Sequence, residues 1–347
     1  MKTTDISRRQ FLKGAFAGAL GIAAVSALSG CSMAAALMSG SVETEREPNA
    51  SAEALAGTHT NPLDIEKRTV LLNNGIEMPI FGIGTYILTV QQAENSVYNA
   101  LKDGYRLIDT AAAYNNEEGV GAGIARAIAE GIVKREDIFV TTKLWPTSYN
   151  MSGVDAALER LGLDYVDLML LHQPMGDYVS GWKALEQALS DGKVRSIGLS
   201  NFYGDDFTTI MNNVTVPPAL LQVETHLKNQ QNSTMKLLDP YGIVLEAWFP
   251  LGGKGHTDRF FNFPEVQALA AKYGKTPAQI IIRWHLQENH ICIPGSSNAD
   301  HILENIGSFD FEIEDADIET LNGLNEDSAY FYAVPTDLEA NGLTDGT

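Results

Sequence analysis

Several reactive side chains in this sequence stand at the ends of apolar runs. Asp109 closes Leu107-Ile108, Lys143 follows Thr141-Thr142, and His172 follows Leu170-Leu171. Ser200-Asn201 follows Leu199, Gln222 follows Leu220-Leu221, Trp248 follows Ala247, and Tyr114 lies a few residues beyond Asp109. Singly, each has a plainer role: Asp109 before Thr110-Ala111 could cap a helix, Lys143 could be a solvated strand end, and His172 could be a hydrogen-bonded loop histidine. Together they offer proton-transfer chemistry. An ammonium beside a phenol lowers the phenol pKa from its reference of about 10, and a carboxylate holds the ammonium in place. Tyr114 is then a proton donor near neutral pH, and His172 can hydrogen-bond and orient a carbonyl oxygen. There is no serine elbow, no HExxH and no clustered His/Asp set, so triad hydrolysis and metal hydrolysis lack their residues, and no metal is expected.

Residues at strand ends meet only if the strands run parallel around one axis. Short apolar runs at 80–83, 107–109, 138–142, 166–171, 196–199, 220–223, 244–247 and 291–293 read as strands, with amphipathic helices between them, among them 92–102, 119–130, 154–161, 181–190 and 278–287. Eight such β units without a second composition regime predict an α/β fold, a (β/α)8 TIM barrel as one catalytic domain rather than a doubly wound sheet. In a barrel the reactive groups collect at the C-terminal ends of the strands, which is where these residues stand. Ahead of it, Asn73-Asn74-Gly75 between apolar runs at 69–72 and 76–79 predicts an N-terminal β-hairpin. Two nucleotide-like motifs fail. Gly119-Val120-Gly121-Ala122-Gly123 lacks the dinucleotide spacing and is expected to pack a helix closely, and Gly274-Lys275-Thr276 lacks the upstream glycine of a phosphate loop, so Thr276-Pro277 reads as a helix N-cap.

With 44% apolar and 20% charged residues, the 347-residue chain has ample core, and its net charge of −20 argues against nucleic acid as a partner. Two cysteines, Cys31 and Cys292, cannot build a disulfide framework, and Cys292 between Ile291 and Ile293 is expected to be a buried apolar thiol. The N-terminus has the anatomy of an export signal: Lys2, Arg8, Arg9 and Lys13, then an apolar run at 14–30 that is short for a membrane span, then Cys31. Ser7-Arg8-Arg9-Gln10-Phe11-Leu12-Lys13 resembles a twin-arginine signal and Leu28-Ser29-Gly30-Cys31 a lipobox. The expected organisation is a signal at 1–31, a flexible tether at 32–64 and a barrel at 65–347. The expected location is the cell envelope or periplasmic side, reached through the twin-arginine machinery, with membrane contact only through a lipid on Cys31.

The ordered motifs carry a family resemblance. Gly82-Ile83-Gly84-Thr85, Gly104-Tyr105-Arg106-Leu107-Ile108-Asp109-Thr110-Ala111 through Tyr114-Asn115-Asn116-Glu117, and Thr142-Lys143-Leu144-Trp145 are followed by Leu171-His172-Gln173-Pro174, the run from Gly192 to Phe202, and Gln222-Val223-Glu224-Thr225-His226. From Thr69 to Asn325 the chain resembles the aldo-keto reductases, most closely bacterial members similar to 2,5-diketo-gluconate reductases. The resemblance implies hydride transfer between a nicotinamide cofactor, NADPH or NADH, and a small aldehyde or ketone, with a tetrad of Asp109, Tyr114, Lys143 and His172. It places Gly84, Thr85, Asp109, Ser200, Asn201, Gln222, Trp248, Pro250, Leu251, Gly252, Ser296, Glu304 and Asn305 at the cofactor: Ser200, Asn201 and Gln222 on the carboxamide, Trp248 on the ring, 250–252 at the pyrophosphate, and Glu304 with Asn305 near the adenine. Trp145 and Tyr86, with His172, would face the substrate.

Two departures stand out. Where relatives carry Ile-Pro-Lys-Ser and a later Arg, this chain has Ile293-Pro294-Gly295-Ser296 and His301, lacking the cations that pair with a 2′-phosphate. The segment after Asn325 matches poorly and is expected to form a substrate-facing loop. Rival readings are a non-catalytic cofactor-binding or sensing barrel in the envelope, and an aldolase using Lys143 as a Schiff base, which leaves Ser200, Asn201 and Gln222 without a role.

Overall fold

The computed structural model describes residues 61–253 and 255–330. The signal, Cys31, most of the expected tether and the end of the C-terminal segment lie outside the described residues. The last tether residues do not behave as a linker, because Asn61 donates to the Leu71 carbonyl at 2.8 Å and the Leu63 amide donates to Asn289 at 2.7 Å.

The hairpin forms as β1 (Thr69–Leu71) antiparallel to β2 (Glu77–Pro79). Gly75 turns the chain at φ +84°, a left-handed conformation that glycine adopts without steric cost. Val70, Leu72 and Met78 are buried. The two turn asparagines tie the hairpin to the barrel: Asn73 donates to the carbonyls of Pro218 and Tyr241, and Asn74 donates to the Ser196 hydroxyl at 3.0 Å while accepting from the Ile76 amide within the hairpin. These partners sit before or early in β7, β8 and β9, so the hairpin closes the bottom of the barrel.

The barrel strands are β3 (Gly82–Gly84), β4 (Leu107–Asp109), β5 (Phe139–Leu144), β6 (Val166–Leu171), β7 (Val194–Ser200), β8 (Leu220–Glu224), β9 (Val244–Trp248) and β10 (Ile291–Cys292), each parallel to the next. A parallel bridge between Phe81 and Cys292 joins the two edges. β5, β7 and β9 extend past the apolar runs to include Lys143, Ser200 and Trp248, because ladder pairing continues after hydrophobic patterning stops. Cys292 is buried as expected.

Helices α1 (Val90–Lys102), α2 (Glu117–Ala129), α3 (Met151–Leu161), α4 (Tyr178–Ser190), α5 (Gly204–Met211) and α6 (Asn232–Leu238) follow successive strands. After β9 come α7 (Asp258–Phe261), α8 (Pro264–Tyr273) and α9 (Pro277–Gln287), and after β10 come α10 (Ala299–Ile306) and α11 (Asp315–Asn322). Thr276 and Gln279 cap α9 reciprocally, with Pro277 in the first turn. The glycines of α2 are packing devices, as expected. A β-carbon on Gly119 would lie 2.0 Å from the Val90 carbonyl oxygen, and one on Gly121 would lie 2.1 Å from that of Leu161, so these glycines let α2 pack closely against the α1 N-terminus and α3. No helix among the described residues is long and apolar enough to cross a membrane.

Candidate active site

The strand ladder levels the site. Gly84 pairs with Asp109, Ser200 with Gln222, and Gln222 with Glu246, so three neighbouring strands present polar side chains at one height near the top of the barrel. Tyr114 reaches this level from the loop after β4. It ends a short 3₁₀ turn (Ala112–Tyr114), Asn115 follows in the left-handed region at φ 52°, and Asn116 then pins the loop by donating to the carbonyls of Thr85 and Leu88, both at 2.8 Å.

Lys143 is wholly buried and donates to both oxygens of Asp109, at 2.6 and 2.8 Å, to the Thr110 carbonyl at 3.0 Å and to the Tyr114 hydroxyl at 3.2 Å. The phenol oxygen thus accepts from an ammonium, which leaves its own hydrogen for an acceptor in the cavity. Burial works to lower the pKa of Lys143, but the Asp109 carboxylate overrides it and the ammonium holds its proton more firmly than usual. Burial raises Asp109, against the pull of Lys143 and Gln222.

The expected lowering of the Tyr114 phenol does not hold. Burial dominates and pushes it up to about 12; Lys143 acts downward, while Asp109 acts with burial. A phenol in this state keeps its proton across the neutral range, and Lys143 acts by stabilising the phenolate once that proton leaves. His172 is buried, and burial followed by the Lys143 charge holds its pKa well below the usual imidazole value, so its ring is neutral. The ring stands edge-on to Tyr114, centroids 5.7 Å apart, and to Trp145 at 5.1 Å.

Asn201 adopts φ 64°, and its side chain holds that turn by donating to the His172 carbonyl at 3.2 Å and accepting from the Trp248 indole N–H at 2.9 Å. Gln222 donates through Nε2 to Asp109 Oδ2 at 2.8 Å and to Glu246. Glu246 is fully buried, and burial, then the Asp109 charge, pushes its carboxyl up to about 8.

These residues open on a cavity of about 780 Å³, within the range of small-molecule sites. Gly84, Asp109, Tyr114, His172, Ser200, Asn201, Gln222 and Trp248 line it, as do Trp145 and Tyr86 on the expected substrate side and Pro250, Leu251 and Ser296 along the trench. Four expected contacts do not line it. Thr85 spends its hydroxyl on the Asp109 carbonyl, Gly252 turns under the Phe260 ring, Glu304 accepts from Thr276 at 2.7 Å, and Asn305 lies on the buried face of α10. Sequence reading missed Phe249, His256 and Asn298, which line the cavity, and Glu246 behind it. Phe249 carried no signal, since its position depends on a left-handed backbone (φ 52°). Glu246 did carry one, being a carboxylate inside the apolar run Val244-Leu245-Glu246-Ala247.

The cavity suits an extended dinucleotide. At one end lie the amide groups of Asn201 and Gln222 with the Trp248 ring, and a trench leads from there to the start of α10. A β-carbon on Gly295 would meet the Gly84 carbonyl oxygen at 2.9 Å, so the trench floor is backbone without side-chain bulk.

Comparison with known proteins agrees with this geometry. The sequence profile of the Aldo/keto reductase family matches residues 81–326. The chain is similar to the glyoxal reductase of Bacillus subtilis (strain 168), with 40% identity over 75% of this chain and 94% of the relative. It is also similar to the NAD(P)H-dependent D-xylose reductase of Candida tropicalis, with 35% identity over 74% and 92%. Among solved structures, the Bombyx mori aldo-keto reductase in complex with NADP superimposes with a TM-score of 0.72 at 34% identity, covering 78% of this chain and 96% of that one.

Proposed function

The chain belongs to the aldo/keto reductase family, and from that premise we propose that Tyr114 is the acid of an NAD(P)-dependent carbonyl reductase. The protein is an oxidoreductase that reduces an aldehyde or ketone to an alcohol. The observation that carries the role of Tyr114 is the 3.2 Å contact from the buried Lys143 ammonium to a phenol facing the cavity. A nicotinamide dinucleotide, when bound, would supply the hydride. Tyr114 gives its proton to the carbonyl oxygen, Lys143 stabilises the phenolate left behind, Asp109 fixes Lys143, and neutral His172 hydrogen-bonds the same oxygen and orients it. Ser200, Asn201 and Gln222 would hold the carboxamide, and Trp248 would lie against the ring. Steady-state kinetics of Tyr114→Phe test this assignment.

For the cofactor, NADH competes well with NADPH in this reading. No Lys or Arg is found among the described residues that line the cavity, and by the family resemblance Gly295 and His301, which do line it, replace the permanent cations that pair with a 2′-phosphate. Titration of both cofactors tests it.

For the substrate, the reading is a small aldehyde or dicarbonyl, as for reductases similar to those of 2,5-diketo-gluconate and for the glyoxal reductase relative. Trp145 and Tyr86 bound the space before His172, and a panel of such carbonyls with each cofactor tests the class. For location, the reading is export by the twin-arginine machinery and lipid attachment at Cys31, supported by the basic, apolar and Cys31 sequence alone. Palmitate labelling should be lost in Cys31→Ala and export blocked in Arg8→Lys with Arg9→Lys; an unlabelled, soluble cytoplasmic wild type would refute it.

A further inference from the structure

Glu246 has no part in the proton transfer described above, yet it sits at the heart of the barrel. On β9 it is in register with Gln222 of β8 and with Ile291 of β10. It is fully buried and absent from the cavity lining. One carboxyl oxygen accepts from Gln222 Nε2, and the other, Oε2, has no partner among the described residues. Gln222 Nε2 also donates to Asp109 Oδ2, so both hydrogens of one amide nitrogen are spent on two carboxyl oxygens.

Two acceptors on one side fix which way an amide faces. A Gln222 amide turned the other way would set its oxygen against those of Asp109 and Glu246, so its nitrogen points into the barrel and its oxygen is left for the cavity that Gln222 lines. We propose that Glu246 is a positioning residue for the cofactor: by taking one Gln222 N–H it locks that amide with its oxygen presented to the N–H groups of the nicotinamide carboxamide. This rests on reading Gln222 as a carboxamide contact.

The charged and titratable groups facing Glu246 explain the need for a lock. Asp109 from β4 and Lys143 from β5 act on it, and the Cys292 thiol of β10, pushed well above its usual pKa chiefly by burial, feels the charge of Glu246 when that carboxyl ionises. One ammonium cannot balance two carboxylates in a dry interior, so the carboxyl at position 246 keeps its proton near neutral pH and accepts from Gln222 as a neutral acid. Ionisation at higher pH would add a negative charge behind a ring that is positive only when oxidised.

The test uses full-length protein and direct titration of NADH and NAD⁺. Gln222→Ala should weaken NADH by about 10-fold, and Glu246→Leu, which fills the space without an acceptor, by most of that factor with kcat at saturating cofactor within about 3-fold. Glu246→Gln, which keeps an acceptor oxygen, should stay within about 3-fold of wild type, and Glu246→Leu should add little in the Gln222→Ala background. From about pH 6.5 to about 9, the wild-type preference for NAD⁺ over NADH should rise by about 3-fold or more and that of Glu246→Gln should stay flat. If Gln222→Ala binds as wild type, the carboxamide reading fails. If Gln222→Ala is weakened but Glu246→Leu is not, or if Glu246→Gln is as weak as Glu246→Leu, the positioning role is overturned. If Glu246→Leu does not fold, Glu246→Met is titrated in its place, and an NADH affinity within about 3-fold of wild type overturns the proposal.

Discussion

Lys143 donates to the Tyr114 hydroxyl across 3.2 Å while the same ammonium grips both oxygens of Asp109. The arrangement keeps the phenol protonated through burial and places a fixed positive charge where the phenolate will form. The cost of developing that charge is met before the substrate arrives, because Asp109 and Thr110 already hold Lys143 in place.

Lys143→Met should therefore lower reductive turnover by at least about 10²-fold, with cofactor affinity little changed. Without the ammonium, burial and Asp109 act on the phenol unopposed, so its pKa moves further up rather than back towards about 10. The matching observation is alcohol oxidation whose alkaline rise shifts to higher pH in the mutant. An unshifted profile would mean that Lys143 does not act on Tyr114.

The pH dependence differs between the two directions. Reduction uses protonated Tyr114 and neutral His172; the first persists up to about 12 and the second to well below the usual imidazole pKa. Neither group should bend the reductive kcat profile between about pH 6.5 and about 10, whereas oxidation, which needs the phenolate, should climb throughout. A reductive kcat halved by an ionisation near about 6.5 would assign His172 a protonated role instead.

His301→Arg should shift preference towards NADPH by about 10-fold, since it supplies a permanent cation to a phosphate, whereas position 295 is left as glycine because a β-carbon there would meet the Gly84 carbonyl oxygen at 2.9 Å. Parallel titrations of NADH and NADPH into wild type and His301→Arg check this. A wild type that already prefers NADPH by orders of magnitude would place the phosphate's cation elsewhere, and Lys254→Ala, beyond the described residues, would then be the variant to read.

The glycines of α2 give a stability prediction. Gly121→Ala puts a β-carbon 2.1 Å from the Leu161 carbonyl oxygen, so α2 and α3 must separate, at a cost of about 2–4 kcal/mol in urea unfolding. Gly131→Ala meets nothing within 4 Å and carries only the strain of φ +72°, about 1 kcal/mol. Equal losses at the two positions would contradict the close packing of these helices.

Much of the site was legible because barrel topology turns strand ends into neighbours. Asp109, Lys143, His172 and Gln222 are each the polar residue where an apolar run stops, and the β3–β10 ladder brings Asp109, His172 and Gln222 to one cavity, with Lys143 buried behind Asp109. The hairpin was legible from Asn74-Gly75, since a turn is a local decision. What escaped is set by three-dimensional context. The direction of the Tyr114 shift depends on how far burial outweighs one nearby charge, which no spacing reveals. Thr85 and Glu304 have suitable chemistry for a ligand, but Asp109 and Thr276 occupy them first. Phe249 reaches the cavity only through a backbone conformation that its residue type disfavours.

The most direct test is Tyr114→Phe, which keeps the ring and removes the hydroxyl. Turnover should be measured with a reactive aldehyde at saturating NADH and NADPH, beside cofactor titration of the same protein. The account predicts a kcat lower by at least about 10²-fold with both cofactors still bound as in wild type. Turnover within about 10-fold of wild type, with the cofactor bound, would contradict Tyr114 as the proton donor.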